Sequence, residues 1–296
     1  MKITAPATLK DDLRLIGDPG FPSAVVSAGK TAMFDTGVSI MAPLYTGSLK
    51  RILGARALDQ VFLTHSHYDH VGSCGHVRHV FPALQTAGHG LIRDVMKNPR
   101  AVATMTALSD IYRQLTDGND PSTVFIPPEV DLVLEDGDEV DLGKGVTVRV
   151  MATPGHTRDS MTFFIEPWGA AVVGEALGVV QLDGAICPEF LTDFKDYLSS
   201  AHRIIEASPS IILMPHGPAL TGDDARAFLD GVIPAAHDLR HTIEDSLHET
   251  GGDIDSATGI LFEKLYDPAR IGQEMNAFRT NLRAKTACIA KALTPA

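Results

Sequence analysis

The sequence predicts an α+β fold: two β-rich halves, each with its own helices, form a sandwich of two sheets covered by helices on the outer faces. Two observations carry this expectation. Short apolar runs bounded by Gly, Pro and Asp recur over residues 13–86 and again over 132–214, with helix-period stretches between them. After Gly222 the pattern changes to helix alone.

The first half opens with runs at 13–16, 24–26 and 32–34, separated by Gly17-Asp18-Pro19-Gly20 and Gly29-Lys30, which read as a hairpin or meander. A short helix is expected over 44–53, then the buried strand Val61-Phe62-Leu63, a strand over 83–86 and helices over 89–97 and 100–116. The last of these carries Met105, Leu108, Ile111, Tyr112 and Leu115 at helix spacing. Strands are expected at 132–134, 146–150, 161–165 and 170–173, followed by a helix over 193–207 and a strand over 211–214. Beyond Gly222, Ala225, Phe228, Leu229, Val232, Ala236, Leu239, Ile243 and Leu247 mark one long amphipathic helix, with Pro234 a candidate kink. Gly251-Gly252 ends it, and Ile271, Met275, Phe278, Leu282 and Ile289 mark a last helix. The expected division is a sandwich domain over 1–220 and a helical extension over 221–296 packed on it. Arg270, Arg279, Arg283, Lys285 and Lys291, faced only by Glu274, read as a solvated helix face.

Composition narrows the function classes. Of 296 residues, 44% are hydrophobic and 21% charged, ordinary globular usage that excludes a disordered chain. The balance of 25 basic and 37 acidic side chains, 25 − 37 = −12, argues against a nucleic-acid partner, which needs a basic surface. The 3 cysteines, Cys74, Cys187 and Cys288, lie far apart with no Cys-x-x-Cys, so neither disulfides nor a cysteine zinc site are expected. No apolar run approaches the ~20 residues that span a bilayer, and the N-terminus lacks a signal-peptide pattern. The expectation is a cytoplasmic protein with a small-molecule substrate and no membrane partner, with a homodimer left open.

The 12 histidines are the unusual feature. Thr64-His65-Ser66-His67-Tyr68-Asp69-His70 follows an apolar strand and packs His65, His67, Asp69 and His70 into one short segment. His65 and His67 alternate on extended chain, so both rings can point to one side; Asp69 and His70 follow where the chain turns toward a helix. That spacing suits two adjacent cations. Three later strands each run into a loop bearing one more ligand type: His156 in Thr153-Pro154-Gly155-His156-Thr157, Glu175 in Gly174-Glu175-Ala176-Leu177-Gly178, and His216 in Pro215-His216-Gly217. Imidazole with carboxylate is a ligand set for Zn, Fe or Mn. His237 and His241, at i, i+4, lack a third ligand nearby and read as a solvated face.

These motifs, with Asp35-Thr36-Gly37 after an apolar strand, resemble those of the metallo-β-lactamase-fold hydrolases over about residues 10–220. The resemblance implies a four-layer αββα sandwich with a metal site at one edge. One metal would take His65, His67 and His156, the other Asp69, His70 and His216, with Glu175 at the place of the bridging ligand. The family normally has Asp there, and the extra methylene of Glu175 leaves metal identity open between two Zn ions, the first choice, and Fe or Mn. The expected activity is hydrolysis of a small ester, thioester or lactone by a metal-bridging hydroxide, which Asp69 would also orient. Asp35 is either an outer acceptor fixing an imidazole or a turn residue. The opening segment 5–18, with the 64–70 and 174–178 motifs, is similar to quinolone-signal response thioesterases acting on 2-aminobenzoylacetyl-CoA, which adds acyl-CoA to the candidate substrates and implies that the 221–296 extension covers the active site of the 1–220 catalytic domain. A small phosphodiester hydrolase, a metal-binding regulatory protein with little turnover and a non-haem iron redox enzyme stay open as alternatives. Met105, Leu108, Tyr112, Phe125 and Phe278 and the loop 119–130 are candidate pocket walls, with core packing the simpler reading for the side chains.

Overall fold

A computed structural model describes residues 1–115, 120 and 123–293. Residue 116 of the expected helix, residues 119, 121 and 122 of the expected pocket loop, and the Leu115 side chain lie outside the described residues.

The chain begins with strands β1 (Lys2–Ile3), β2 (Ala7–Lys10), β3 (Leu13–Asp18), β4 (Phe21–Ser27) and β5 (Thr31–Phe34). A 3-10 turn at Ser39–Met41, helix α1 (Ala42–Leu53) and strand β6 (Gln60–Phe62) follow. Next come α2 (Tyr68–Val71), α3 (Cys74–Val80), β7 (Gln85–His89), α4 (Gly90–Lys97), α5 (Pro99–Leu115) and β8 (Leu132–Leu134). Strands β9 (Glu139–Gly143), β10 (Val146–Ala152), β11 (Met161–Glu166) and β12 (Ala170–Val172) lead into the short β13 (Val179–Val180) and β14 (Ile186–Cys187). The chain ends through α6 (Phe194–Glu206), β15 (Ile211–Leu213), β16 (Ala219–Thr221), α7 (Asp223–Glu249), α8 (Ile254–Leu265) and α9 (Met275–Leu293).

Two compact units account for these elements. The first comprises Met1–Ala152, Asp159–Gly174 and Pro209–Ala225; the second comprises Thr153–Arg158, Glu175–Ser208 and Arg226–Ala296.

The first unit holds two 7-stranded sheets. One runs β2-β3-β4-β5-β6-β7-β8; its β2 to β5 part is an antiparallel meander, and β5 to β8 are parallel. The other runs β1-β16-β15-β12-β11-β10-β9 and is antiparallel except for the β12–β15 pair. Side chains alternate across each strand, so one set of residues faces the partner sheet and the other an outer layer. Leu13, Val26, Phe34 and Phe62 share a core with Val148, Phe163 and Leu213 from the second sheet; the Phe34 and Phe62 rings stack at 5.0 Å. The intervening residues Ile16, Val25, Met33 and Val61 pack instead with Tyr45 and Leu49 of α1 and Cys74 and Val77 of α3. Burial on both faces explains why residues 24–26 of β4 and 61–63 at β6 read as unbroken apolar runs rather than alternating ones.

In the second unit β13 and β14 pair as a small antiparallel ribbon. A separate core gathers Phe190, Phe194 and Tyr197 with Ile243 of α7, Leu261 of α8, and Phe278, Leu282 and Ile289 of α9. The α+β class with two sheets and a C-terminal helical region is thus as the sequence predicts.

Several details differ. Strands β1, β13 and β14 are each 2 residues long, too short to show a period. β9, Glu-Val-Asp-Leu-Gly, is a half-exposed edge strand whose acidic residues hide its alternation. α8 escapes the helical reading because it falls between Gly251-Gly252 and Ile271, and Ile271 itself lies before α9. α7 continues through Pro234 as one helix. Lys285, expected on a solvated basic face, is buried at 2% exposure, because the face of α9 that carries it packs inward with Leu282 and Ile289. Among the described residues, no helix is long and apolar enough to cross a membrane.

Candidate metal centre

The histidine-rich segment leaves the end of β6, a parallel strand between β5 and β7. Asp35, at the end of β5, holds it in place. Its Oδ1 accepts from Thr64 N at 2.8 Å, and its Oδ2 accepts from Thr64 Oγ1 at 2.7 Å and from His70 Nδ1 at 2.9 Å. Asp35 sits at φ 52, a left-handed conformation that Asp tolerates better than most side chains. Thr64 Oγ1 donates its one proton to Asp35, so it accepts from His65 Nδ1, 3.1 Å away. Of the two readings of Asp35, the structure supports the acceptor that fixes an imidazole.

Extended chain at His67 (φ −66, ψ 146) then turns into α2, with His70 N and Val71 N donating to His67 O at 3.0 and 3.1 Å. This turn gathers the rings: His65 lies 4.6 Å from His67 and 3.9 Å from His70 between ring centroids. His65 and His70 are fully buried; His67 and Asp69 are half-buried. His216, in the loop between β15 and β16, lies 5.5 Å from the His70 ring and donates from Nδ1 to Gly20 O at 3.1 Å. Its Nε2 is 3.4 Å from Asp69 Oδ2. Phe21 packs edge-on against His216 at 5.4 Å and against Tyr112 at 5.6 Å. Of the other wall candidates, Met105, Phe125 and Phe278 are core residues.

His156 and Glu175 belong to the second unit. The loop bearing His156 is fixed by α6 and the turn before it: Thr192 N and Oγ1 both donate to Gly155 O at 3.0 Å, and Ser200 Oγ donates to Pro154 O at 2.7 Å. Gly155, at φ +131, approaches so closely that a Cβ there would lie 2.3 Å from Tyr197 Cα, which only glycine permits. His156 donates from Nδ1 to Glu189 O at 2.7 Å, and its Nε2 lies 2.6 Å from Glu175 Oε2. Burial alone would push the His156 imidazole toward its neutral form, but the carboxylates of Glu175 and Glu189 outweigh it and raise the pKa. The Glu189 side chain accepts from Lys285 Nζ at 2.7 Å and from Cys187 Sγ at 3.4 Å. Burial would strip Lys285 of its proton, yet the neighbouring Cys187 and Glu189 hold its ammonium above the usual range. The Cys187 thiol is pushed up to about 12, by burial first. Sequence reasoning missed Glu189 and Lys285. Their partners are 33 and 96 residues away, and no local spacing signals such a contact.

Among the described residues, two groups of donors could hold a metal ion: His65, His67, His156 and Glu175, and Asp69, His70 and His216. Within each, the donor atoms lie within 4.8 Å of one another. The two groups contain the seven residues singled out in the sequence, with Glu175 falling beside the three histidines rather than between the groups. The donor chemistry fits a borderline divalent ion. Nδ1 of His65, His70, His156 and His216 is occupied by a hydroxyl, a carboxylate or a backbone carbonyl, which leaves Nε2 as the ligand atom in each ring.

A two-sheet α+β sandwich with imidazole and carboxylate groups at its strand ends defines a metal-binding protein class. The family model of the metallo-beta-lactamase superfamily matches residues 16–216, and the chain belongs to that superfamily. It is 28% identical over 210 residues to a metallo-beta-lactamase fold-containing protein of Sulfurisphaera tokodaii, covering 67% of this chain and 74% of that one. It is 26% identical over 199 residues to a hydroxyacylglutathione hydrolase of Ruegeria pomeroyi, covering 67% of this chain and 61% of that one. A solved metallo-beta-lactamase family protein of Thermus thermophilus superposes with a TM-score of 0.65 at 20% identity, covering 96% of this chain and 95% of that one, and shares the fold.

Proposed function

We propose that the chain is a metal-dependent hydrolase of a small ester, thioester or lactone, with a dinuclear centre held by His65, His67, His156 and Glu175 on one side and Asp69, His70 and His216 on the other. The observation that carries this reading is the uniform tautomer: four imidazoles each keep an oxygen acceptor on Nδ1, the arrangement of ligand rings held by an outer shell. Divalent ions bound there supply a Lewis acid that polarises a carbonyl and makes a water acidic near neutral pH. The chain's own contribution is orientation. Asp35 and Thr64 hold His65 and His70, and Gly20 O holds His216. Asp69 accepts a hydrogen bond from the attacking water at a carboxylate oxygen and keeps it in line with the carbonyl. Phe21, edge-on to both His216 and Tyr112, favours an apolar acyl group over a polyanion. The hydroxyacylglutathione hydrolase relative supports an acyl ester or thioester, and the likeness to quinolone-signal response thioesterases adds acyl-CoA.

The test is metal analysis of purified protein followed by hydrolysis assays on thioester, lactone, phosphodiester and β-lactam panels. Two bound equivalents of Zn, Fe or Mn with turnover on an ester, thioester or lactone are expected. Fewer than one tightly bound metal and no turnover on any panel would sink the proposal. Glu175→Asp should shift metal preference or the pH–rate profile; if neither moves, the extra methylene has no special role.

A further inference from the structure

Lys285 stands on α9, in the helical unit, with its side chain 3% exposed. Its Nζ donates to Glu189 Oε1 at 2.7 Å and lies 3.6 Å from Cys187 Sγ, which donates to the same Oε1 at 3.4 Å. Glu189 in turn offers its backbone carbonyl to His156 Nδ1 at 2.7 Å, and His156 Nε2 meets Glu175 at 2.6 Å. These contacts form one line from the last helix to two candidate ligands.

A buried ion pair is a poor source of stability, because apolar residues of the same volume serve at least as well. What it supplies is direction. The Lys285 ammonium and the Cys187 thiol pin one Glu189 oxygen, and that limits rotation about the Glu189 side chain and backbone. The carbonyl on that backbone then keeps its aim at His156. We infer that Lys285 is a positioning residue for metal binding: through Glu189 it fixes the ring plane and tautomer of His156, which makes α9 part of the support of the metal centre. The inference rests on the proposed reading of His156 as a ligand.

The experiment is a competition titration of Zn²⁺ against a chromophoric chelator, using the full chain stripped of metal. His156→Ala comes first and should lose one equivalent; wild-type Zn²⁺ binding in that variant overturns both the ligand reading and this inference. Given that loss, Lys285→Met should weaken one equivalent by roughly 10–100-fold while leaving the other in place. Lys285→Arg, which keeps the charge, should restore most of it. The His156 Nδ1–H proton resonance should broaden or vanish in Lys285→Met. Leu282→Ala, on the same helix, removes packing and leaves the ion pair, so it should keep both the affinity and the resonance. If Lys285→Met fails to fold, the apolar pair Lys285→Met/Glu189→Leu, which removes both charges together, carries the same expectation. Wild-type affinity in Lys285→Met or Lys285→Met/Glu189→Leu, or an equal loss in Leu282→Ala, overturns the positioning role even with His156 established as a ligand.

Discussion

Asp35 joins two strand ends to one imidazole, and its carboxylate has no spare geometry for an amide. An Asn at this position offers one acceptor and one NH₂ donor where Thr64 N, Thr64 Oγ1 and His70 Nδ1 all present protons. Whichever way the amide turns, a buried donor faces a donor. Asp35→Asn should therefore cost about 1–3 kcal/mol of stability from unmade buried hydrogen bonds. It should also weaken one equivalent of bound Zn²⁺ by roughly 10–100-fold. Urea unfolding and chelator competition read the two effects separately, and a variant with wild-type values in both would show the Asp35–His70 contact to be incidental. The same residue marks how far sequence reading reaches. His65, His67, Asp69 and His70 declare themselves because they lie within one short segment after an apolar strand. Asp35 is visible only as a motif element, since its contacts are 29 and 35 residues distant. Lys285 misleads because it reads with Arg279, Arg283 and Lys291 as one basic run, although it stands three residues after Leu282 and four before Ile289, on the side of α9 that packs inward.

Among the elements, α3 is stapled to the β7–β8 edge by Asp131, which immediately precedes β8. Asp131 Oδ2 accepts from Thr86 N at 2.7 Å and from Arg78 Nη2, while Asp131 N donates to Thr86 O at 2.8 Å. Partial burial would raise the Asp131 pKa, but the hydrogen bonds from Arg78 and Thr86 outweigh it and hold the carboxyl below its usual range. A lowered folded-state pKa means the stabilisation is fully present above the unfolded value, near 4, and is lost as pH falls through the folded one. Asp131→Asn should lower stability at neutral pH by up to about 1 kcal/mol, the range of a half-exposed pair. Its urea midpoint should then fall less steeply than that of the wild type below about pH 4. Parallel midpoint curves for the two proteins between neutral and acid pH would remove the pair from the account. At this scale the sequence shows the long elements well. The strands of both sheet cores and the α7 stretch announce themselves by apolar runs and helical period, whereas two-residue strands and the edge strand β9 are defined by their partners rather than by their own residues.

For the whole molecule, ion binding and folding are linked if the proposed centre is correct. At free metal about 100-fold above Kd, each occupied site adds roughly 2.7 kcal/mol to the folded state. Each kcal/mol moves the midpoint of a domain of this size by roughly 2–4 °C. Exhaustive chelation should lower the thermal midpoint by at least about 5 °C, and added Zn²⁺ should return it. An unchanged midpoint by differential scanning calorimetry would mean that the seven donors bind no ion tightly. Linkage also changes the meaning of the net charge of −12, because two divalent ions would offset part of it at one place and leave the remaining surface acidic.

The pairing of β1 with β16 imposes an order in time. Lys2 and Ile3 pair with Leu220 and Ala219, so β1 waits for the last strand of its sheet. At about 5–20 residues per second on the ribosome, that wait is roughly 10–45 seconds. His216, the third member of the group with Asp69 and His70, emerges only just before β16. Closure of the sheet and completion of that donor group therefore coincide. A nascent chain released before this point would have neither.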